Sequence, residues 1–328
     1  MSTSVVWKQP GAFTLEEREL AKPGPGQLKV RVEASGLCGT DLHIAAGEEP
    51  RAELDVVIGH EFTGTVVEVG EGAEQYRSGD RVVVDPNIPC HTCYYCRSAR
   101  PHLCIRPQAL GVTRDGGMAQ YALLPAEQAY LIPQDLAAPA AALTEPLACA
   151  LHAVDQAGLR TGQTALVLGG GPMGVLCSIL LIAGGAARVI VSEQQVARRG
   201  RLNTFGVESV APEDVPLEEA DVVMECVGRP ETMQQAITAA RPGGTVVWVG
   251  VAHPAAVVPV KPYDVYRREL TIRSTYTNPF TMERSIAMLC SGRIDWEDIV
   301  THRFSLEQFD EAWEAHKQGV GLKVCVEP

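Results

Sequence analysis

Cys90, Cys93, Cys96 and Cys104 stand at the spacing C-x2-C-x2-C-x7-C, close enough in sequence for four thiolates to converge tetrahedrally on one zinc ion. Four sulfur ligands saturate that metal and leave no position for a substrate, so its expected role is to hold the lobe together. His91 and His102 sit beside the thiols and are not needed as ligands. A second pattern, Gly169-x-Gly171-x-x-Gly174, follows the apolar run 165–168 and opens a helical pattern at Pro172. In that setting the glycines allow a tight turn, close approach of the backbone to a pyrophosphate and close helix packing, with phosphate at the helix N-terminus. Glu193 ends the next apolar run, about twenty residues on, where an acid hydrogen-bonds the adenosine ribose of a dinucleotide. An acid there favours NAD over NADP, although Arg198 and Arg199 follow closely and could accommodate an extra phosphate.

These groups need two kinds of scaffold. In the first part of the chain the runs 28–32, 64–69, 81–85 and 120–124 are Val-rich or alternating and are punctuated by glycine. They predict strands of a mostly β, barrel-like domain from which the zinc lobe is an excursion. From Thr164 the texture changes. Strands at 165–168, 189–191, 209–211, 222–225, 245–249 and 270–272 alternate with helices from Pro172, over 196–205 and over 231–240, which predicts a parallel sheet made of βαβ units. Arg241-Pro242-Gly243-Gly244 reads as a turn. Between 211 and 222 the chain is short and carries Pro212 and Pro216, so the usual crossover helix should be missing or shortened. Helical periodicity returns at 282–290 and at Leu306, Phe309, Ala312, Trp313 and His316, before a closing strand at 323–326.

A chain of 328 residues suits two domains, and 46% hydrophobic with 21% charged residues is a globular composition. The net charge of -12, with no basic tract, opposes binding to nucleic acid or to an anionic membrane surface. The uncharged stretch 162–187 raises a membrane span, but Gly169, Gly170, Gly171 and Pro172 would break a spanning helix. Residues 1–13 are polar and hold Pro10 and Gly11 in place of an apolar signal region, so a cytoplasmic location is expected. In that compartment ten cysteines read as thiols and metal ligands. Cys149, Cys177, Cys226, Cys290 and Cys325 read as small apolar fillers.

The lobe, Gly36-Leu37-Cys38-Gly39-Thr40-Asp41-Leu42-His43, Gly59-His60-Glu61 and the 169–174 segment together resemble the zinc-containing medium-chain alcohol and polyol dehydrogenases, over residues 30–326. The resemblance implies an α/β protein with a GroES-like, mostly β catalytic domain over 1–145 and 276–328, its structural zinc lobe at about 88–106. A Rossmann domain with a doubly wound parallel sheet would occupy 146–275 and bind the nucleotide. Two zinc ions per chain are implied, one structural and one catalytic. For the catalytic ion Cys38 and His60 would supply thiolate and imidazole, a pairing that suits zinc with open positions. The carboxylate would be Glu61 or Glu145; Thr144-Glu145-Pro146-Leu147 resembles the segment that supplies one in polyol and threonine dehydrogenases. Asp41 matches the acid that hydrogen-bonds the ligand histidine and fixes its tautomer. Thr40 takes the place of the hydroxyl that accepts the substrate proton, and His43 that of the histidine that delivers it to solvent. On the nucleotide side Met173 and Arg198 would line the adenosine half, and Val249, Gly250, Val251, Thr275 and Tyr276 the nicotinamide half.

The implied reaction is hydride transfer between a secondary alcohol and a nicotinamide, with zinc acting on the alcohol oxygen as a Lewis acid. Glu145, Glu225-Cys226-Val227-Gly228 and Thr301-His302-Arg303-Phe304 resemble sorbitol dehydrogenases, but Thr275 stands where those enzymes carry an arginine before the equivalent tyrosine. Other polyols and aminocyclitols are candidate substrates. So is L-threonine, because Cys38-Gly39-Thr40-Asp41 resembles threonine dehydrogenases. A zinc-free quinone or enoyl reductase on the same scaffold would lack Cys38, His60 and the lobe, and a non-catalytic nucleotide-binding structural or sensory protein would need no open metal site. Relatives associate as dimers or tetramers, so a homodimer or homotetramer is expected.

Overall fold

The computed structural model describes residues Met1–Pro328 and divides into two units, Met1–Glu145 with Met282–Pro328, and Pro146–Thr281. The chain rejoins the first unit at Met282 rather than at 276; the Thr281 hydroxyl donates to the Ala148 carbonyl at 2.8 Å and ties the intervening residues to the second unit.

Strand Gln27–Gly36 is the hub of the first unit. It buries Leu28, Val30, Val32 and Ala34 on alternate positions, as period-two apolar patterning requires, and fully burying a leucine or valine side chain stabilises by about 1.5–3 kcal/mol. It pairs antiparallel with Glu61–Val69, with Tyr121–Pro125 and with the closing strand Lys323–Glu327. The last pairing brings the end of the chain beside Gly36 and Ser35. Arg81–Val84 and Ala129–Leu131 extend this seven-stranded sheet on one side and Val300–Ser305 on the other. A smaller sheet, Ala12–Arg18 with Ser2–Gln9 and Val56–Val57, packs Val5, Val6 and Trp7 with Leu37, Ile44, Ile58, Met118 and Phe309.

In the second unit six strands pair, all parallel, in the order Glu208–Val210, Arg188–Ser192, Thr164–Leu168, Ala220–Glu225, Ala240–Trp248, Thr271–Ser274. The order reverses at Thr164–Leu168, the doubly wound arrangement whose crevice accepts dinucleotides. Helices Pro172–Ala183, Val196–Leu202 and Pro230–Ala239 lie between strands. The crossover before Ala220–Glu225 holds only a single 3-10 turn, Pro212–Asp214, so the prolines do interrupt it. The expected turn at Arg241–Gly244 is instead part of strand Ala240–Trp248. The register against Ala220–Glu225 slips between Ala240 and Thr245, and Gly243 takes φ +78°, so the glycines make a bulge inside the strand and not a break before it. No helix is long and apolar enough to cross a membrane.

The cysteine lobe leaves the first unit through a two-stranded ladder, Asn87–Ile88 with Gln108–Ala109. Inside it are one helical turn, Tyr94–Arg97, and one 3-10 turn, Pro101–Leu103. Tyr94, Leu103 and Ile105 are exposed, so no apolar core holds this segment. The four sulfurs lie within 4.8 Å of one another, and none of the cysteines is in a disulfide. The backbone N–H groups of Cys90 and Arg106 donate to the Cys104 sulfur at 3.3 and 3.4 Å, and the Arg106 guanidinium lies 3.8 Å from the Cys90 sulfur. Donors aimed at sulfur favour thiolates, and an all-sulfur set fits tetrahedral zinc. The Thr92 hydroxyl and backbone N–H lower the Cys90 thiol to a pKa of about 5, whereas burial and the neighbouring Cys93 and Cys104 thiols push Cys96 up to about 12. Zinc should protect all four thiols from iodoacetamide at about pH 7, and stripping the metal should open all four to alkylation together as the segment loses its order. Peptide mass mapping of a time course reads this out; a lobe cysteine that labels equally with and without zinc would refute it.

Candidate active site and cofactor turn

Strand Gln27–Gly36 runs directly into Leu37, Cys38 and helix Gly39–Ala46. Cys38 is the N-cap of that helix, with extended dihedrals (φ -119°, ψ 158°), and its N–H donates to Asp41 Oδ2 at 2.8 Å. The capping demand of the helix start thus fixes Asp41, which is wholly buried, with its other oxygen 3.6 Å from His60 Nδ1. At 3.6 Å this is an ion-pair contact and not a hydrogen bond, and neither atom has a hydrogen-bond partner; with a metal on Nε2, Asp41 would be the carboxylate placed to accept from Nδ1. His60 and Glu61 open strand Glu61–Val69, whose Glu61 pairs with Gly36 in the ladder. The result is that one atom each of Cys38, His60 and Glu61 lies within a 4.8 Å group.

One partner of this group had no signal in any motif. The ammonium of Lys323, on the closing strand, pairs with Glu61 Oε2, and both side chains are buried. Gly36 makes the pair possible: a Cβ there would collide with the Glu61 carboxylate and meet the Lys323 stem. Burial disfavours the charge on Lys323, but Glu61 and then Cys38 outweigh it and hold its pKa above the usual value. The same competition acts on His60. Burial pulls its pKa down, and the charges of Asp41 and Cys38 raise it well above normal. Asp41, penalised by burial, is nevertheless lowered by His60 and by the Cys38 N–H. The pocket's field therefore favours positive charge between sulfur and imidazole. Glu61 Oε1 has no hydrogen-bond partner, and a sulfur, nitrogen and oxygen set of three fits zinc that keeps a position for substrate.

Glu145 sits in the first turn of helix Thr144–Ala157 and is buried. It lies outside the 4.8 Å group, though its charge is felt at Lys323. Of the two candidate carboxylates, Glu61 is therefore the one grouped with Cys38 and His60. Thr40 and His43 project from helix Gly39–Ala46 three residues apart, hence on one face. The Thr40 hydroxyl is 3.7 Å from the Cys38 sulfur, and His43 Nδ1 is 2.9 Å from Glu48 Oε2, with the His43 side chain 34% exposed. A further contact from the end of the chain, His316 Nε2 at 2.9 Å from the Cys38 carbonyl, also lay beyond any local pattern.

In the second unit the glycine turn follows strand Thr164–Leu168. Gly169 has φ +101°, and a Cβ on Gly174 would run into the Gly169 carbonyl, so helix Pro172–Ala183 packs on the turn only through glycine. Its N-cap, Gly171, makes no side-chain cap bond, and Met173 occupies the first turn. The free N–H groups at the end of a 12-residue helix are suited to an anion. Glu193 follows the next strand, buried, and accepts from the N–H groups of Gly170 at 2.9 Å and Gln195 at 2.8 Å. Arg198 is 3.4 Å from the same carboxylate, and the Arg199 guanidinium donates to the Glu193 carbonyl at 2.7 Å. Val249 and Gly250 both donate to the Glu225 carbonyl, while the Glu225 side chain accepts from Val227, Gly228 and Thr232. That residue ties two turns together and was not singled out by spacing. Val251 and Tyr276 are exposed, and Thr275 donates its N–H to Trp248.

Residues 24–134 match the family model of the alcohol dehydrogenase GroES-like domain, and residues 172–290 match that of zinc-binding dehydrogenases. The chain is 31% identical to sorbitol dehydrogenase of Macaca fascicularis, across 98% of this chain and 95% of that protein. It is 33% identical to L-threonine 3-dehydrogenase of Thermococcus kodakarensis, across 96% and 94%. Among solved structures, a zinc-binding dehydrogenase from Sinorhizobium meliloti 1021 bound to NADP superposes with a TM-score of 0.96 at 36% identity, covering 100% of this chain and 99% of that one. Likeness that runs nearly end to end, through both units, makes this chain an oxidoreductase of the zinc-dependent medium-chain alcohol dehydrogenase family.

Proposed function

We propose that the protein oxidises a secondary alcohol on a polyol, sugar alcohol or aminocyclitol-like substrate with NAD, using two zinc ions per chain, and reduces the ketone in the reverse direction. The observation that carries this reading is the grouping of Cys38, His60 and Glu61 donor atoms within 4.8 Å, with Glu61 Oε1 lacking any partner. When bound, zinc supplies Lewis-acid polarisation of the alcohol oxygen and the nicotinamide takes up the hydride from carbon. Asp41 holds the His60 tautomer, and Lys323 holds Glu61. The Thr40 hydroxyl takes the proton lost from the alcohol oxygen, and His43, oriented by Glu48, releases it to water. The sum is alcohol plus NAD+ to ketone, NADH and a proton.

The sorbitol dehydrogenase likeness supports a polyol, and Thr275, in place of an arginine, argues against sorbitol itself. The threonine dehydrogenase likeness supports a second reading, oxidation of L-threonine at its secondary alcohol. A panel of polyols, aminocyclitols and L-threonine with NAD and NADP, followed by reduced-nicotinamide absorbance, separates the two. Cys38→Ala should lower kcat at least about a thousandfold while metal analysis falls from two zinc ions to one, the lobe ion remaining. Full turnover in that variant would reject the mechanism.

NAD is proposed over NADP because a 2′-phosphate would meet the buried Glu193 carboxylate, and Arg198 and Arg199 are already engaged with Glu193. The kcat/KM ratio for NAD against NADP should fall about tenfold, or about 1.4 kcal/mol, in Glu193→Gln. A wild type that prefers NADP, as the Sinorhizobium meliloti neighbour's ligand would suggest, would overturn this preference.

A homodimer or homotetramer is also proposed. Thr271–Ser274 is an edge strand with unpaired backbone groups, and Tyr263 and Tyr266, on the helix that precedes it, are exposed, the kind of edge that proteins cover by association. Multi-angle light scattering should give a mass at least twice that of one chain; a monomer at micromolar concentration would refute it.

A further inference from the structure

Resting on the zinc-dehydrogenase reading, we propose that His316 is a positioning residue for the catalytic zinc, acting through the backbone of Cys38. His316 Nε2 lies 2.9 Å from the Cys38 carbonyl oxygen, across a sequence separation of 278 residues. A carbonyl only accepts, so Nε2 carries the hydrogen and the imidazole donates.

The other bonds on Cys38 are local. Its N–H goes to the Asp41 carboxylate, and its carbonyl also accepts from the Asp41 N–H at 3.0 Å. Asp41 belongs to the helix that Cys38 caps, so these bonds move with the helix start as one body. They fix Cys38 against its own helix and, through the other oxygen of Asp41 at 3.6 Å from His60, reach the imidazole at one remove, but none of them ties Cys38 to Glu61 or to the end of the chain. Gly39, next in the chain, has nothing within 4 Å of where its Cβ would be, so the Cys38–Gly39 peptide is held by the bonds on the Cys38 carbonyl and not by packing around residue 39. The external reference comes from the end of the chain. Helix Phe309–Lys317 is anchored in the core by buried Phe309 and Ala312, its last turn delivers His316 against the Trp313 ring, 6.1 Å between centroids, and the strand after it takes the Leu37 N–H on the Val324 carbonyl at 3.0 Å and sends Lys323 to Glu61. One returning segment therefore sets both the sulfur and the carboxylate of the group, and His316 is its hold on the sulfur.

The test uses the full-length protein and His316→Phe, which keeps ring volume and loses the donor, beside His316→Gln, whose amide nitrogen can replace Nε2. Zinc affinity is measured by competition with a chromophoric chelator, with the lobe zinc as internal reference, and the thiolate-to-metal absorption is recorded after cobalt substitution. We expect His316→Phe to weaken the catalytic-site metal about 10–100-fold and to shift the cobalt band, and His316→Gln to return both to within about threefold of wild type, the lobe being unchanged throughout. Equal affinity and an unchanged cobalt band in His316→Phe overturn the proposal. So does loss of metal from both sites together, or a glutamine variant as impaired as the phenylalanine one. Wild type that holds only the lobe zinc would instead overturn the functional reading on which this rests.

Discussion

The candidate site depends on how ionised groups are balanced inside an apolar shell. Asp41 and Glu61 are buried beside Cys38 and His60, Glu145 is buried where its charge acts on Lys323, and Lys323 is the buried lysine cation among them. Removing such groups from water is costly, and a buried ion pair is held only while its geometry is good; deleting one partner leaves an uncompensated charge worth about 3–5 kcal/mol. The Lys323 ammonium pairs with Oε2 of Glu61, and Oε1 has no hydrogen-bond partner. What the fold builds is an arrangement still short of positive charge, and a divalent cation is the simplest remedy. The glycine at position 36 belongs to the same design, since any side chain there would displace the pair.

On the proposed reading the two sulfur-bearing groups of this chain would use the same metal in opposite ways. In the lobe all four ligands come from fifteen consecutive residues, Cys90 to Cys104, on a segment with scarcely any buried apolar surface, so metal binding and ordering of the segment are one event. At Cys38 the ligands come from a helix cap and a strand start on the main sheet, both already fixed by core residues such as Leu37, Ile58 and Phe62. There the scaffold exists before the metal. Only such a scaffold can present three donors and leave a position for substrate without collapsing onto the ion.

This difference also decides what could be read from the residues alone. The lobe and the glycine turn are legible because their chemistry is local: spacing brings the thiols together, and a strand followed by a glycine-rich helix start defines the turn. The main strands are legible because alternation maps onto a half-buried sheet. Lys323 and His316 are not, because their partners lie hundreds of residues away and no short-range pattern marks them. The one faint signal is a lysine inside the otherwise apolar run Leu322–Val326, which on a buried strand demands a counter-charge. Glu225 is hidden for a similar reason, since an acid at a strand end looks like a surface charge until the three donors on its carboxylate are seen. The Arg241–Gly244 stretch misleads in the opposite sense: its proline and glycines signal a turn, and pairing with Ala220–Glu225 absorbs them as a bulge.

The shortened crossover of the second unit follows from distance rather than from tolerance of a defect. Val210 ends a strand at one edge of the sheet, and Ala220 begins one three places across, at the opposite end of the strands. Three strand spacings of about 4.8 Å and a strand length of about 17 Å make a diagonal of about 22 Å. Residues 211–219 wound as a helix would rise only about 14 Å, whereas the same residues extended reach about 30 Å. The segment must therefore run largely extended, with room for no more than the one 3-10 turn that Pro212 starts. The helix it lacks would have covered one face of the sheet. Val215 takes over part of that burial against Leu166, Ile190 and Ile237, and Gln235 donates to the Pro212 carbonyl at 3.1 Å to hold the segment down. Because the segment crosses toward the N-terminal ends of the strands, the opposite ends, where Gly169, Glu193 and the 226–228 turn emerge, are left free to carry the nucleotide.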